Sequence, residues 1–274
     1  IIMQKYLYMF LLSDIGQTLL KNNITGQAQG GLNSTNLKNI KIPIPPLSVQ
    51  QKIVSEIEEI EKSYDKANSI IQLYKDKIEN IFNKNESISH STKEKLRMLV
   101  KTNPSKTELN AYDKNILVSF VEMSSVSNNG YIINRVDRKL SDVRNGSYTY
   151  FIENDIIIAK ITPCMENGKC AIANGLTNGI GMGSSEFHVL RCSDKINNKY
   201  LFTYLNRNVI RKEAEKNMTG ASGHRRVPIT FYENLEIPML SMDKQKEIVT
   251  EIENYEKIIL DTQIEINKLN AEKK

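Results

Sequence analysis

The chain is poor in cysteine and has no long apolar run. Its three cysteines, Cys164, Cys170 and Cys192, are odd in number and form no C-x-x-C pair. That argues against a disulfide framework or a zinc site, and for a reduced, cytoplasmic protein. The longest purely apolar stretches, such as Ile156-Ile157-Ile158-Ala159, are a few residues long, far short of the roughly 20 needed to span a bilayer. Neither a membrane helix nor a membrane partner is expected. The opening Ile1-Ile2-Met3-Gln4-Lys5-Tyr6 lacks the basic start, apolar run and cleavage site of a signal peptide, and it does not begin with Met; a fragment is expected. The histidines, His90, His188 and His224, are scattered, so neither a metal-ligand pattern nor a catalytic triad is present.

Charge of one sign is also scarce: 37 Lys and Arg oppose 32 Asp and Glu, a net +5 over 274 residues, with 40% hydrophobic residues. Such composition is that of a folded chain with a real core. The distribution is uneven, however. From Lys199 to Arg226 seven basic residues (Lys199, Arg207, Arg211, Lys212, Lys216, Arg225, Arg226) meet two acids, Glu213 and Glu215. This one segment carries as much excess charge as the whole chain, either as a solvated helix face and loop or as a nucleic-acid contact.

What is present is an internal repeat. Lys5-Tyr6-Leu7-Tyr8 returns as Lys199-Tyr200-Leu201-Phe202 and Ile24-Thr25-Gly26 as Met218-Thr219-Gly220, both displaced by 194 positions. After a one-residue slip Ile42-Pro43 returns as Ile237-Pro238, and Gln50, Lys52-Ile53-Val54 and Glu56-Ile57-Glu58 return as Gln245, Glu247-Ile248-Val249 and Glu251-Ile252-Glu253. Each module reads as a short helix, a Gly-containing loop, an extended Ile-Pro segment and a long charged helix. Two modules so far apart are a duplication around an insertion, not a solenoid.

The long helices carry a heptad seam. In the first, Ile53, Ile57, Ile60, Tyr64, Ala67, Ile71, Tyr74, Ile78 and Ile81 alternate steps of four and three; the second has Ile248, Ile252, Tyr255, Ile259, Thr262, Ile266 and Leu269. The two helices are expected to pair as an antiparallel coiled coil. At roughly 1.5 Å per residue the seam from Ile53 to Ile81 is about 42 Å long, enough for a spacer. Pro43, Pro45 and Pro46 mark its start, since proline fits the lead-in and first turn but not the interior.

Between the helices the composition changes. Lys84 to Thr92 is a polar linker, followed by short β-type runs such as Asn115–Val121 and Asp155–Lys160, with turns at Asn128-Asn129-Gly130, Asn145-Gly146, Asn167-Gly168 and Asn178-Gly179. A mixed, strand-rich globular domain is expected there.

Several strings resemble the specificity (S) subunit of type I restriction-modification systems. They are the lead-in Ile42-Pro43-Ile44-Pro45-Pro46-Leu47-Ser48-Val49-Gln50, the runs Asp155–Lys169 and Gly183–Arg191, and the tail Gly220-Ala221-Ser222-Gly223-His224-Arg225-Arg226-Val227 before Leu235-Glu236-Ile237-Pro238. The resemblance covers most of the chain. It implies an α+β protein whose target-recognition domain, residues 86–236, lies between two spacer helices, in residues 42–85 and 237–274. Residues 1–41 would be the C-terminal remnant of a first recognition domain, whether by gene truncation, partial sequencing or a half-subunit that forms a self-dimer. The resemblance further implies that each recognition domain reads one half of a split double-stranded DNA site, that the spacers set the half-site separation, and that methyltransferase (M) and restriction (R) subunits dock on the scaffold. S-adenosylmethionine, ATP and Mg would belong to those partners, and no cofactor to this chain.

Local chemistry agrees with DNA contact. Gly220 and Gly223, with Ser222 between them, let backbone amides approach a phosphate, and His224, Arg225 and Arg226 offer charge and forked donors. Lys160, Thr162, Glu166, Asn167 and Lys169 flank a strand and turn rich in base-edge donors and acceptors. Ser184, Ser185 and Glu186 contact DNA or satisfy turn backbones. No catalytic motif is complete. Ile44-Pro45-Pro46-Leu47 lacks both functional ends of an adenine methyltransferase loop, and Gly179-Ile180-Gly181-Met182-Gly183 has no strand and helix around it. Asn167-Gly168-Lys169 runs into Cys170 rather than Ser or Thr, and Asp155 and Lys160 fall on opposite faces of one strand. A non-catalytic recognition and scaffolding subunit is the leading expectation. The C-terminal specificity region of a single-chain restriction enzyme and adenine methyltransferase, or a purely structural coiled-coil adaptor, are the alternatives.

Overall fold

The computed structural model describes residues 1–24, 31–88, 93–221 and 223–272. In chain order the elements are α1 (Gln4–Leu12), α2 (Asp14–Asn22), α3 (Ser34–Lys38), α4 (Leu47–Ile88), β1 (Lys93–Lys95), β2 (Val100–Thr102), β3 (Leu117–Val121), β4 (Val136–Lys139) and α5 (Leu140–Arg144). There follow β5 (Thr149–Ile152), β6 (Ile156–Ala159), β7 (Cys170–Ile172), β8 (Ile180–Gly183), β9 (Phe187–Cys192), α6 (Asn198–Leu205), α7 (Asn208–Lys216), α8 (Ile229–Glu233), β10 (Glu236–Pro238) and α9 (Met242–Glu272). Backbone contacts divide the chain into two compact units, Ile1–Lys77 with Asn254–Lys274, and Ile78–Glu253. The division runs through both long helices.

In the first unit α1 and α2 meet at Ser13. Ser13 caps α2 by accepting from the Gly16 amide at 3.1 Å. Only glycine fits at position 16, because a Cβ there would collide with the Phe10 carbonyl. Lys5 of α1 pairs with Glu58 of α4, and the Tyr6 hydroxyl donates to the Pro43 carbonyl at 3.1 Å. Farther along, Ala67 and Ile71 of α4 pack with Ile259 and Ile266 of α9, and the Tyr74 and Tyr255 rings meet at 5.3 Å. Residues rising along α4 meet residues falling along α9, so the pairing is antiparallel. The seam is not uniform. Ile53, Ile57, Ile60, Tyr74 and Leu269 are half-buried, while Tyr64 is 37% exposed.

The second unit is built on two four-stranded sheets. One has the order β2-β9-β6-β7 and is wholly antiparallel; the other is β4-β3-β8-β5, with β3 and β8 parallel. Ile156 and Ile158 of β6 point into a core shared with α6, α7, α8 and the adjoining ends of α4 and α9, whereas Ile157 points into a second core holding Val121 and Phe151 of the other sheet. The first sheet is therefore covered on both faces, which is why the Ile-Ile-Ile-Ala run is continuous instead of alternating. A third core lies on the far face of the second sheet, around Leu109, Phe120, Leu140 and Met182. Each such fully buried side chain contributes about 1.5–3 kcal/mol by leaving water. Ile248 and Ile252, placed by the heptad in the helix seam, are buried in the first of these cores together with Phe82 and Tyr200. The glycines of Gly181 and Gly183 sit in β8, where a Cβ at 181 would collide with the Phe151 ring. They serve sheet packing.

The duplication is visible as repeated bonding. The side chain of Gln50, fully buried, accepts from the Met3 amide at 2.8 Å and donates to the carbonyls of Ile1 and Pro45 at 3.2 and 2.8 Å. Gln245 accepts from the Asn197 amide at 2.8 Å and donates to the carbonyls of Lys195 and Leu240 at 3.2 and 2.9 Å. Every partner is displaced as the sequence repeat requires. One difference separates the modules: Ile237-Pro238 lies in β10, paired with β1, whereas Ile42-Pro43 is in no strand.

Candidate nucleic-acid interface

Three separated segments converge at the C-terminal end of β6. The Lys160 amide donates to the Glu186 carbonyl at 2.9 Å, the Val227 amide to the Lys160 carbonyl at 2.9 Å, and the Thr162 amide to the Arg225 carbonyl at 3.0 Å. Arg226 bridges antiparallel to Ile161 on one side and to Thr219 on the other, closing residues 219–226 into a hairpin. Gly220 and Gly223 lie in that hairpin at φ +113° and +80°, a region that favours glycine. Their freedom is thus needed to turn the chain, whatever their amides bind. Ser222 lies outside the described residues.

Arg226 does not point freely outward. Its Nε and Nη2 donate to the two carboxylate oxygens of Glu186 at 2.9 and 2.8 Å, and Nη1 donates to the His224 carbonyl at 2.9 Å. The guanidinium in turn holds the Glu186 carboxyl below the usual carboxylate range, with Lys160 adding to the effect. Arg225, half-buried, has no hydrogen-bonded side-chain partner among the described residues, and His224 is exposed. Lys160 is half-buried as well, and among the described residues its ammonium, like the Arg225 guanidinium, has no hydrogen-bonded acid, so both are cations this surface can offer to an anion. At the base, His188 of β9 is 6% exposed with Nε2 2.9 Å from the Val227 carbonyl, and burial lowers its pKa.

The turn after β6 is a separate feature. Thr162 donates through Oγ1 to Glu166 at 2.5 Å, the Asn167 amide donates to the Pro163 carbonyl at 3.0 Å, and Asn167 itself is exposed. Lys169 is turned inward, its ammonium donating to the Met123 carbonyl at 2.9 Å. Ser184 serves its own turn by accepting from the Glu186 amide at 3.2 Å, and Ser185 is exposed. Of the predicted contact residues, the fold brings Lys160, Thr162, Ser184, Ser185, His224, Arg225 and Arg226 to one end of the domain. Lys169 and Ser184 are engaged by the backbone.

The basic segment is divided by the fold. Arg207 is 5% exposed and faces the end of α4, donating to Glu79 at 2.9 Å and to Asn83 at 2.5 Å. Arg211 donates to the Glu166 carbonyl at 3.4 Å, and Gly168 permits that approach, since a Cβ there would collide with the guanidinium. Asp155 is likewise structural: Arg191 grips it at 2.9 and 2.8 Å and reaches Glu108 at 2.6 Å. Neither the Glu186–Arg226 fork nor the Arg191 pair was legible in advance, because each joins residues at least 36 positions apart.

The model of the type I restriction modification DNA specificity domain matches residues 1–80 and 98–271. The chain belongs to this family. The specificity subunit of the type I restriction enzyme EcoAI of Escherichia coli is 49% identical over 113 residues, and that of EcoEI, also of Escherichia coli, 41% identical over 113 residues. Each match covers 41% of this chain and 19% of the relative, so the chain spans about a fifth of the length of these relatives. A solved chain from work on complex assembly and conformational transition of the type I restriction-modification system superposes with TM-score 0.57 at 13% identity, covering 98% of this chain and 68% of that one. At that identity the likeness concerns the α+β fold alone.

Proposed function

We propose that this chain is a DNA-recognition subunit of a type I restriction-modification complex, a binder of one double-stranded half-site rather than a catalyst. The observation that carries the reading is the convergence of residues 160–162, 184–186 and 219–227 at one end of the second unit, leaving Lys160 and Arg225 unneutralised by hydrogen-bonded acids. Lys160 and Arg225 contact phosphates; Thr162 and Ser185 at the same end, and Glu166 and Asn167 in the turn that follows, are groups able to meet base edges. Arg226 and Glu186 hold the hairpin in place. The paired helices act as spacer and as dock for M and R subunits, which would bring S-adenosylmethionine, ATP and Mg.

The same reading assigns residues 1–41 to the end of another recognition domain. Tyr8 is 63% and Leu37 49% exposed, whereas their repeat equivalents Phe202 and Tyr232 are 4% and 3% exposed. The bared face corresponds to one that the strand-rich core covers in the second module. A recognition domain from the same polypeptide, or from another copy of the chain, fits it.

Binding of the purified chain to a randomised duplex pool across a salt series tests the proposal. A selected motif is expected, with an affinity that falls with salt; Arg225→Ala and Lys160→Ala are each expected to reduce the salt slope by about 1. Mapping methylated adenines genome-wide with and without the gene tests the cellular role. Binding without sequence preference, together with an unchanged methylation map, would refute it.

A further inference from the structure

A second hairpin projects near the same end of the domain. Residues 125–133 are closed by the Ser127 amide donating to the Tyr131 carbonyl at 2.9 Å and the Ile133 amide to the Ser125 carbonyl at 2.8 Å, with Val126 bridging antiparallel to Ile132. The Ser127 hydroxyl braces the turn, accepting from the Asn129 and Tyr131 amides at 3.2 and 3.1 Å. Val126 is fully buried in the core between the two sheets and Ile132 packs against it, so the hairpin is anchored through alternate side chains. The intervening ones face solvent: Tyr131 is 53% and Ile133 64% exposed, and Asn128, Asn129, Asn134 and Arg135 are exposed too.

Two features give this hairpin the chemistry of a base reader. From Met123 to Val136 the sole charged residue is Arg135, and the next acid, Asp137, accepts from Thr177 at 2.7 Å. Residues 123–136 therefore present positive charge with amide donors and acceptors; the exposed carboxylates, Glu122 and Asp137, lie at the two feet of the hairpin, each accepting from a neighbouring hydroxyl. Its placement is the second feature. The end of β3 and the turn after it, which launch the hairpin, are tied to both flanks of the first surface: the Met123 carbonyl accepts from Lys169 at 2.9 Å, and the Val121 carbonyl accepts from the Ser184 amide at 3.2 Å. Gly130, at φ +96°, lets the tip lie against the Phe202 ring, which a Cβ would strike. The bracing bonds, the buried Val126 and the contact with Phe202 anchor the hairpin without a ligand, which lowers the ordering cost of binding.

We propose that the 125–135 hairpin is a second base-reading element, entering the major groove beside the 219–227 hairpin, with Asn134 and Arg135 reading purine edges and Tyr131 and Ile133 lying against thymine methyls. The major groove admits a two-stranded ribbon, amide side chains pair with adenine, and guanidinium pairs with guanine. This inference rests on the DNA-recognition reading above.

The test uses the full chain and the duplex selected from the randomised pool, with a scrambled duplex of equal length as reference. Asn134→Ala and Tyr131→Ala are expected to lower the selected-to-scrambled affinity ratio about five- to a hundredfold, the discrimination carried by a good base contact. Scrambled-duplex affinity and the salt slope should stay as in the unsubstituted chain, because no charge is removed. Thermal melts establish that both variants fold; Gly130→Ala, which displaces the tip, provides a second variant with the same expected loss. An unchanged ratio in folded variants, while the unsubstituted chain still discriminates, overturns the inference and leaves the DNA-recognition reading intact. If the unsubstituted chain selects no motif, that reading falls and the hairpin assignment with it.

Discussion

Replacing Gln245 by methionine probes how the recognition unit is fastened to its helix. The side chain is 1% exposed and joins three backbone groups, the Asn197 amide and the carbonyls of Lys195 and Leu240. Methionine conserves the volume, so the cavity contribution is small. What is lost is three hydrogen bonds at about 0.5–1.5 kcal/mol each, and three main-chain groups are left to find water. The sum is about 2–4 kcal/mol, which for a unit of this size corresponds to a fall in Tm of about 5–15 °C. Urea and thermal unfolding followed by tyrosine near-UV circular dichroism measure it, the chain having no tryptophan. Gln50→Met removes the equivalent bonds to Met3, Ile1 and Pro45. The same assays measure its cost in the first unit. A Gln245→Met chain that unfolds within about 0.5 kcal/mol of the parent, the range of a neutral surface change, would refute the account of the glutamine as a fastener.

Glu108, whose carboxyl is lowered to about 2 by hydrogen bonds from Lys101 and Arg191, contributes stability above its ordinary value near 4.5. That contribution should disappear as pH falls from about 4.5 toward 2, weaken in high salt, and be absent in Glu108→Gln; acid titration of the folded fraction checks all three. His188 behaves in the same direction for a different reason: burial disfavours its charged form, so stability present above about 6.5 is lost as pH falls below it. A His188→Gln chain should show a flatter stability profile between pH 7 and 5, roughly the span of an ordinary histidine titration. Gly181→Ala should destabilise the second unit by about 1–3 kcal/mol through overpacking against Phe151, readable as a lower urea midpoint with unchanged slope.

The repeat, the two long helices and the strand-rich insertion were legible because each depends on periodicity or self-similarity along the chain. The division of labour among basic residues was not. Arg207, Arg211, Arg225 and Arg226 lie within 20 positions of one another. Yet Arg207 is buried against Glu79, Arg211 reaches the Glu166 carbonyl, Arg226 is held by Glu186 and Arg225 has no such partner among the described residues. The same holds for Ile248 and Ile252. Their spacing marks a helix seam, but near the domain that face meets Phe82 and Tyr200 in a shared core.

The Asn128-Asn129-Gly130 turn was visible from its residues; its neighbourhood was not, since anchoring by Val126 and Ile132 and contact with Phe202 arise only when distant segments pack. Sequence alone determined what recurs at short range: helix period, strand alternation, turn residues, the duplicated Gln-led helices and the family strings. Tertiary structure alone decided which charges remain available to an anion. That depends on carboxylates brought from far along the chain, and a charge with a bidentate partner is largely neutralised, whatever its position in a basic run.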